Sequence, residues 1–259
     1  MDASPNVASR SESEHENHSL GRVIFNRIGT LERHRLQTKF LQLLSATRVW
    51  HQMVFRGAVA IHGVHLHGRC SRDLDFLAPP DIKNRFVEIL GEQGLVLQKK
   101  DEDHMAFLPM QGTVFKEIAV GIDVCARETC DMNPVPGVFH GAGGVRLPVR
   151  VMALAPQMAE KLRATSRRAR STDFYDVWLF SQKCPELLPE LGRLLHVGEV
   201  DGEELEFSAE DTWLHLQQLG PWWHKDLIPL MAQVPPFETI ERDFARLIER
   251  FSTASIAYL

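Results

Sequence analysis

The chain has 259 residues, of which 44% are hydrophobic and 24% are charged, with a formal net charge of -5 and a pI of about 6.2. This composition is typical of a globular protein with one large domain or two small ones, and it excludes a global attraction to nucleic acid or to an anionic membrane. A local basic patch is compatible with it. The four cysteines form no CxxC pair, and there is no signal peptide or long apolar run, so we expect reduced thiols in a cytoplasmic protein without a membrane segment.

The N-terminal part begins with a polar segment. Residues 1–19 are predicted to be a disordered tail, because Ser, Glu, Asn and His dominate and almost nothing can be buried. Apolar residues at helical spacing predict a helix within residues 20–49. A short apolar segment then runs into a turn at Gly57. After a gap of helix length, a strand is predicted over residues 73–77, and two prolines end it.

The middle of the chain alternates between helix and strand patterns. A helix is predicted over residues 82–90, closed by two glycines, and three or four short strands are predicted over 95–124, the last of them starting at residue 117. The glycine-rich segment 137–144 is predicted to be a loop. The alternation of apolar residues from Val145 onwards predicts another strand, which ends at Met152.

The rest of the chain has a helical pattern. Pro156 suits the first turn of a helix, and apolar stripes continue around Leu162 and Val177. Three further helices are predicted over residues 186–195, 211–219 and 238–251. We therefore predict an α+β fold, in which a mixed α/β core domain with a mixed sheet (20–152) precedes a helical C-terminal domain (153–259).

Two aspartates on the predicted strand, Asp73 and Asp75, are the central candidates for chemistry. Residues two apart on a strand point the same way, and a divalent cation such as Mg²⁺ relieves the repulsion between their carboxylates. Magnesium bound in this way neutralises a triphosphate during nucleotidyl transfer. Gly57, at the mouth of a helix, suits a close approach of phosphate to the backbone, and Ser71 adds a hydroxyl donor. The alternative is an exposed aspartate pair beside an ordinary turn glycine.

Asp123 is a third candidate carboxylate. It lies in the apolar strand sequence Val-Gly-Ile-Asp-Val, where an unpaired buried charge is costly. A metal ion shared with Asp73 and Asp75 accounts for its position. An aspartate at a strand end that faces solvent is the alternative.

A basic helix end follows in the helical half. Lys161 suits a triphosphate as a point charge, and arginines suit it through paired hydrogen bonds, here Arg163, Arg167, Arg168 and Arg170. Asp173 and Asp176 are three residues apart and share a helix face. The alternative for such a run of charges is a solvated helix surface.

A second possible ligand set consists of His62, His65, His67 and Cys70. Zinc is bound by these residue types, but their spacing matches none of the common paired patterns. A position lining the active-site cleft or lying on the surface is favoured over a zinc site.

In this order, these segments resemble the AbiEii-type nucleotidyltransferases, the toxins of type IV toxin–antitoxin systems, which include the MenT-like enzymes. The first family motif, a glycine followed by Gly or Ser and later by D-x-D, is matched by Gly57-Ala58 and by Asp73-Leu74-Asp75. The second motif resembles Ile122-Asp123-Val124. Ala58 departs from the family pattern but remains small.

The third and fourth family motifs resemble segments of the helical half. The third is matched by Lys161 and Ala164 with Arg167 or Arg168, and the fourth by Asp173-Phe174-Tyr175-Asp176. Thr172 stands where the family often has Arg. The similarity spans about residues 54–180, and the ordered set of motifs is more specific than any one of them.

The resemblance implies a polymerase-β-like nucleotidyltransferase core, with Mg²⁺ as the cofactor and a nucleoside triphosphate as the donor. It implies a metal site formed by Asp73, Asp75 and Asp123. It also implies a nucleotide site that includes Gly57, Ala58, Ser71, Lys161, Arg167 and Arg168. Asp173 or Asp176 would organise the site or activate the acceptor.

The acceptor and the partner are less well defined by the sequence. The resemblance favours tRNA as the acceptor and a cognate antitoxin as the partner, and the local arginines offer a basic surface for RNA. A protein hydroxyl as the acceptor is one alternative, and an antibiotic or a metabolite is another. A non-catalytic nucleotide-binding interaction protein is a further alternative, although the presence of Asp73, Asp75 and Lys161 argues against it.

Overall fold

The computed structural model describes residues 29–92, 95–100, 104–109, 120–126, 134–196, 199–200, 203–204 and 207–257. The predicted tail over residues 1–19 lies outside these ranges, as do the first residues of the predicted helix that follows it. Among the described helices, none is long and apolar enough to cross a membrane.

The first half of the chain alternates helices and strands. Helix α1 covers residues 29–45, and a 3₁₀ turn (Trp50–Gln52) leads to β1 (Val54–Arg56). Helix α2 (Gly57–Ala60) follows directly and continues as a π-helical segment (Ile61–Leu66). The other elements of this half are β2 (Asp73–Ala78), α3 (Pro80–Glu92), β3 (Leu95–Lys100), β4 (His104–Pro109), β5 (Val120–Ala126), β6 (Pro134–His140) and β7 (Arg146–Met152).

These seven strands form one mixed sheet in the order β3-β4-β5-β2-β1-β7-β6. Strand β2 lies at its centre, parallel to β5 and antiparallel to β1. Strand β1 is parallel to β7 on its other side. The predicted mixed sheet is confirmed, and the Asp-x-Asp segment lies on its central strand.

The two faces of the sheet have different roles. Phe76 on β2 and Ile122 on β5 are buried in a core that also contains side chains of α1 and α3. Because successive residues of a strand point to opposite faces, the side chains of Asp73, Asp75 and Asp123 point away from that core. The alternation along β2 and β5 thus separates the packing face from the face that carries the carboxylates.

The second half of the described chain is mainly helical, as predicted. Its helices are α4 (Leu154–Thr165), α5 (Ser171–Lys183), α6 (Leu188–His196), α7 (Ala209–Leu219), α8 (Trp223–Leu227) and α9 (Phe237–Ala257), with short strands β8 (Glu199–Val200) and β9 (Glu203–Glu204). Pro156 lies in the first turn of α4. These helices bury a core of their own, which Ile61 and Leu66 of the π-helical segment also enter. The domain boundary at residue 153 stays a prediction.

The prediction of a loop over residues 137–144 is wrong for its first part, because β6 continues to His140. Gly137 lies in this strand for a packing reason, since a Cβ there would lie 2.8 Å from Val64 Cγ1. The turn itself contains Gly143 and Gly144, whose φ angles of +70° and +77° favour glycine. A glycine-rich segment therefore combines close packing and turn formation.

Candidate active site

Two of the predicted carboxylates are direct neighbours. Asp75 on β2 is paired in register with Asp123 on β5, and Asp73 lies two residues earlier on the same face of β2. All three residues are half-buried. Burial and then the negative charge of Asp123 raise the pKa of Asp75 to about 7, with a further contribution from Asp73. The strand pairing therefore concentrates negative charge at one place on the sheet.

The chemistry of this donor set fits a divalent cation. Carboxylate oxygens are the ligands that Mg²⁺ prefers in proteins, and a cation would relieve the repulsion that raises the pKa of Asp75. Within the described ranges, no three His, Cys, Asp or Glu side chains already converge closely enough to enclose an ion. The predicted ligands Asp73, Asp75 and Asp123 nevertheless lie next to each other on one surface of the sheet, because β2 and β5 are paired there.

Gly57 lies against this cluster. Its φ is +72°, and a Cβ built there would lie 1.9 Å from the Asp75 carboxylate oxygen Oδ2. Glycine is therefore required by the position of Asp75 as well as by the turn between β1 and α2. Ala58 follows in α2 and is half-buried.

Two further residues near Gly57 and Asp73, Arg56 and Ser71, have different partners. Arg56 is paired in register with Asp75, where its positive charge opposes the rise of the Asp75 pKa, and its guanidinium forms an ion pair with Glu160 of α4. Ser71 lies just before β2, and its hydroxyl makes no hydrogen bond to another described residue. Its carbonyl oxygen accepts a hydrogen bond from Gln37 of α1 at 3.2 Å.

The predicted residues of the helical half meet in an ion network. Lys161 Nζ lies 2.6 Å from Asp173 Oδ1 and 3.2 Å from Asp176 Oδ2. Arg168 Nε lies 2.9 Å from the other oxygen of Asp173. The positive charge of Lys161 also acts on Asp75, so the network adjoins the carboxylates of the sheet. Both arginines are exposed, but Arg167 differs in that it forms no ion pair with a described residue.

Asp176 is the centre of this network and is 0% exposed. Arg69 holds it through two bonds, from Nε to Oδ1 at 2.6 Å and from Nη2 to Oδ2 at 2.7 Å. Burial alone would raise the pKa of Asp176, but the charges of Arg69 and Lys161 and the contact with His62 hold it well below its usual value. The carboxylate therefore stays ionised and is a weak base.

His62 joins the network in a defined tautomer. The backbone N–H of Gly68 donates to His62 Nδ1 at 3.2 Å, so Nδ1 carries no proton and Nε2–H donates to Asp176 Oδ1 at 2.8 Å. Burial lowers the pKa of His62, in agreement with a neutral ring.

The zinc alternative gains no support from the described residues. His62 is already bonded at both ring nitrogens, and His67 packs edge-on against His140 with ring centroids 5.0 Å apart. The structure instead places His62 in the buried network around Asp176.

Three contributors to the site were missed in the sequence analysis: Arg56, Arg69 and the link from His62 to Asp176. Arg69 and Asp176 are 107 residues apart in sequence. No local pattern marks an arginine in a loop as the partner of a distant helix residue. A register argument could have found Arg56, since it ends the strand that pairs with β2.

Comparison with known proteins identifies the family. The family described as nucleotidyl transferase AbiEii toxin of type IV toxin–antitoxin systems matches residues 39–250. No curated protein matches the sequence significantly. Among solved structures, the nucleotidyltransferase toxin MenT4 from Mycobacterium tuberculosis is 20% identical with a TM-score of 0.56, and the alignment covers 89% of this chain and 92% of that chain.

A second solved structure, JHP933 from Helicobacter pylori, is 16% identical with a TM-score of 0.53, and the alignment covers 87% of this chain and 92% of that chain. At such identities the likeness shows the fold, whereas the family match covers most of the sequence. The chain therefore belongs to the AbiEii family of nucleotidyltransferase toxins of type IV toxin–antitoxin systems.

Proposed function

We propose that this protein transfers a nucleotide from a nucleoside triphosphate to tRNA in a magnesium-dependent reaction, as the toxin of a type IV toxin–antitoxin system. The family implies the nucleoside triphosphate and a cognate antitoxin. The observation that carries the proposal is the adjacency of the Asp75–Asp123 pair to Lys161. Both tRNA and nucleoside triphosphates are available in the cytoplasm, where we expect the protein to act.

Asp73, Asp75 and Asp123 would hold the magnesium ion. When bound, the ion supplies positive charge that neutralises the triphosphate and stabilises the departing pyrophosphate. Support comes from the raised pKa of Asp75, because crowded carboxylates on a half-buried surface are unfavourable without a cation. In the reaction, an acceptor hydroxyl releases its proton to solvent as its oxygen bonds to the α-phosphorus, and the bond from that phosphorus to the bridging oxygen breaks, so that pyrophosphate leaves with the electron pair.

Lys161 would bind the triphosphate. Its ammonium group is a compact charge, and its contacts with Asp173 and Asp176 fix it beside Asp75. Gly57 and Ala58 would present the backbone of α2 to the phosphates, with the Ser71 hydroxyl as a further donor. Arg168 lies in the same network, so it is the better candidate of the predicted arginine pair, and Arg167 would act only with a bound ligand.

Asp173 would position Lys161 and Arg168, and Asp176 would hold Arg69 and Lys161 in place and would not activate the acceptor. The oxygens of Asp176 accept hydrogen bonds from Arg69 and His62, and Lys161 lies beside it. A buried carboxylate with a lowered pKa and this many donors is a poor acceptor of a proton from a hydroxyl group.

The test is transfer of label from α-labelled nucleoside triphosphates, with magnesium, onto total tRNA, onto total protein and without an acceptor. The Asp73→Ala/Asp75→Ala protein runs in parallel. A matched control is Asp81→Ala/Glu88→Ala, which removes two exposed acids of α3. We expect label on tRNA with the wild type and with the control, and none with the Asp73→Ala/Asp75→Ala protein.

Other outcomes would change the proposal. Label on protein, or tight triphosphate binding without label on any macromolecule, would contradict tRNA as the acceptor, and the second result would favour a small-molecule acceptor. Equal transfer by the Asp73→Ala/Asp75→Ala protein would contradict the assigned metal site. Transfer that continues after chelation of divalent cations would contradict the magnesium requirement.

A further inference from the structure

Helix α1 and the loop before β2 meet beside the carboxylates of the sheet. Gln37 of α1 is fully buried, and its Nε2 donates to the carbonyl oxygen of Ser71 at 3.2 Å and to that of Arg72 at 2.7 Å. These two bonds fix the backbone directly before Asp73. The helix therefore determines where the side chains of this loop lie relative to the site.

Two arginines lie at this contact. Arg33 is four residues before Gln37 and so lies on the same face of α1, one turn nearer its start, and Arg72 is the residue whose carbonyl Gln37 binds. Arg33 is half-buried and Arg72 is exposed. Burial and the positive charge of Arg72 lower the pKa of Arg33, and the charge of Asp73 opposes this shift.

These two side chains differ from the other cations of the site. Arg56, Arg69, Lys161 and Arg168 each contact a carboxylate within ion-pair distance. In the described part of the chain, neither Arg33 nor Arg72 does. An acidic protein thus keeps two like charges beside Asp73, and neither is paired with a carboxylate of the described residues.

The position of the pair distinguishes it from the site proposed for the triphosphate. The charged neighbours of Arg33 are Arg72 and Asp73, whereas those of Asp75 include Arg56 and Lys161. Arg72 directly precedes Asp73, and Arg33 lies one helical turn before Gln37, which binds the Arg72 carbonyl oxygen at 2.7 Å, whereas Lys161 contacts Asp173 and Asp176 of the helical half. An anion bound by Arg33 and Arg72 would be a second ligand beside the triphosphate.

We propose that Arg33 and Arg72 bind a backbone phosphate of the RNA acceptor. The planar guanidinium forms paired hydrogen bonds with phosphate oxygens, and a phosphate between two arginines removes their repulsion. Two such contacts would give an otherwise acidic protein a local, salt-dependent attraction to RNA. This inference rests on the proposed function, because it assigns the residues that would receive the acceptor.

The test is binding of labelled total tRNA by the full chain over a range of salt concentrations, followed by steady-state transfer kinetics. In the Arg33→Gln/Arg72→Gln protein we expect tRNA affinity to fall roughly 10-fold at low salt, and the slope of log affinity against log salt to decrease by about 1 to 2. The KM for tRNA should rise by a similar factor, with the KM for the triphosphate unchanged.

Two further proteins serve as controls. Arg85→Gln/Arg246→Gln removes the same charge from exposed surface pairs and should bind tRNA as the wild type does. Arg33→Lys/Arg72→Lys keeps both charges and should retain most of the salt dependence. Equal melting temperatures of all four proteins would show that changes in binding do not come from unfolding.

The outcomes separate this inference from the proposed function. A raised KM for the triphosphate with unchanged tRNA binding would overturn it, as would equal loss in the Arg85→Gln/Arg246→Gln control. The inference also fails if the wild-type protein does not bind RNA. If the wild type binds tRNA through these arginines but transfers no nucleotide, the inference stands and the proposed function fails.

Discussion

The carboxylates of the sheet and those of the helical half are held in opposite ways. Burial and neighbouring acids raise the pKa of Asp75 to about 7, whereas Arg69, Lys161 and His62 hold the pKa of the fully buried Asp176 well below its usual value. Both are aspartates of the candidate active site. The difference therefore lies in their neighbours, because the sheet places acids beside Asp75 and the helices place cations beside Asp176.

This difference indicates a division of roles. The network around Asp176 contains its own counter-charges, so it is complete without a ligand and can hold Lys161 in place. The sheet cluster has an excess of negative charge, which suits a cation taken from solution. Substitutions in the two regions should therefore have different effects on activity and on stability.

The largest expected effect is on transfer activity in Asp75→Asn. Loss of one of the carboxylates proposed to bind the metal should reduce kcat/KM by about 1,000-fold or more, which corresponds to roughly 4 kcal/mol of transition-state stabilisation. Asp81→Asn, in an exposed turn of α3, is the matched control. Activity within about threefold of the wild type would contradict the metal role of Asp75.

The next effect is on folding in Asp176→Asn. Removal of this carboxylate leaves Arg69 and Lys161 buried without a full counter-charge, so the free energy of unfolding should fall by about 3–5 kcal/mol. Chemical denaturation, compared with Asp81→Asn, would measure it. A loss of activity at unchanged stability would show instead that Asp176 acts directly in the reaction.

The effect of Gly57→Ala on the free energy of unfolding should be smaller, but this substitution should reduce both stability and transfer activity. The added Cβ would overlap the Asp75 carboxylate, and the backbone φ of +72° at position 57 is unfavourable for alanine. We therefore expect a loss of about 2–3 kcal/mol of stability. Displacement of Asp75 should also reduce transfer. Gly91→Ala in α3, where the new Cβ would meet nothing within 4 Å, should be neutral or stabilising. Similar losses in both proteins would contradict the packing argument.

Arg69→Lys tests whether the two-bond contact with Asp176 matters beyond its charge. Lysine keeps the charge but cannot form two parallel bonds to the carboxylate, so stability should fall by about 1–2 kcal/mol. Because Lys161 shares Asp176, we also expect a raised KM for the triphosphate. Arg85→Lys on the exposed face of α3 is the control. An unchanged KM would limit Arg69 to a structural role.

The smallest effect concerns the stability of Asp75→Asn in metal-free buffer. The pKa of Asp75 is raised above its unfolded value, so the folded protein retains a proton that the unfolded chain releases, and stability falls as the pH rises towards about 7. Asparagine removes this dependence. We expect the variant to be more stable than the wild type by about 1–2 kcal/mol at pH 8 and similar to it at pH 5. A less stable variant at pH 8 would contradict the repulsion inferred between Asp75 and Asp123.

Much of the fold follows from local patterns in the sequence. Alternation over residues 145–152 predicted β7, and helical periodicity predicted the helices of the second half, because each pattern depends on which side of an element is buried. The segment around Gly137 is an exception. Its glycine indicated a loop, whereas pairing with Val149 of β7 makes it part of a strand, and close packing against Val64 favours a residue without a side chain.

The sequence by itself determined the residue types of the site: two carboxylates on one side of a strand, a third in an apolar strand, and a lysine followed by paired aspartates. Only the tertiary structure decided which of them are neighbours. The register of β2 with β5 places Asp75 beside Asp123, and the packing of α5 against the π-helical segment brings Asp176 to His62 and Arg69. The reason is that charge interactions depend on distance in space, and these partners are between 48 and 114 residues apart along the chain.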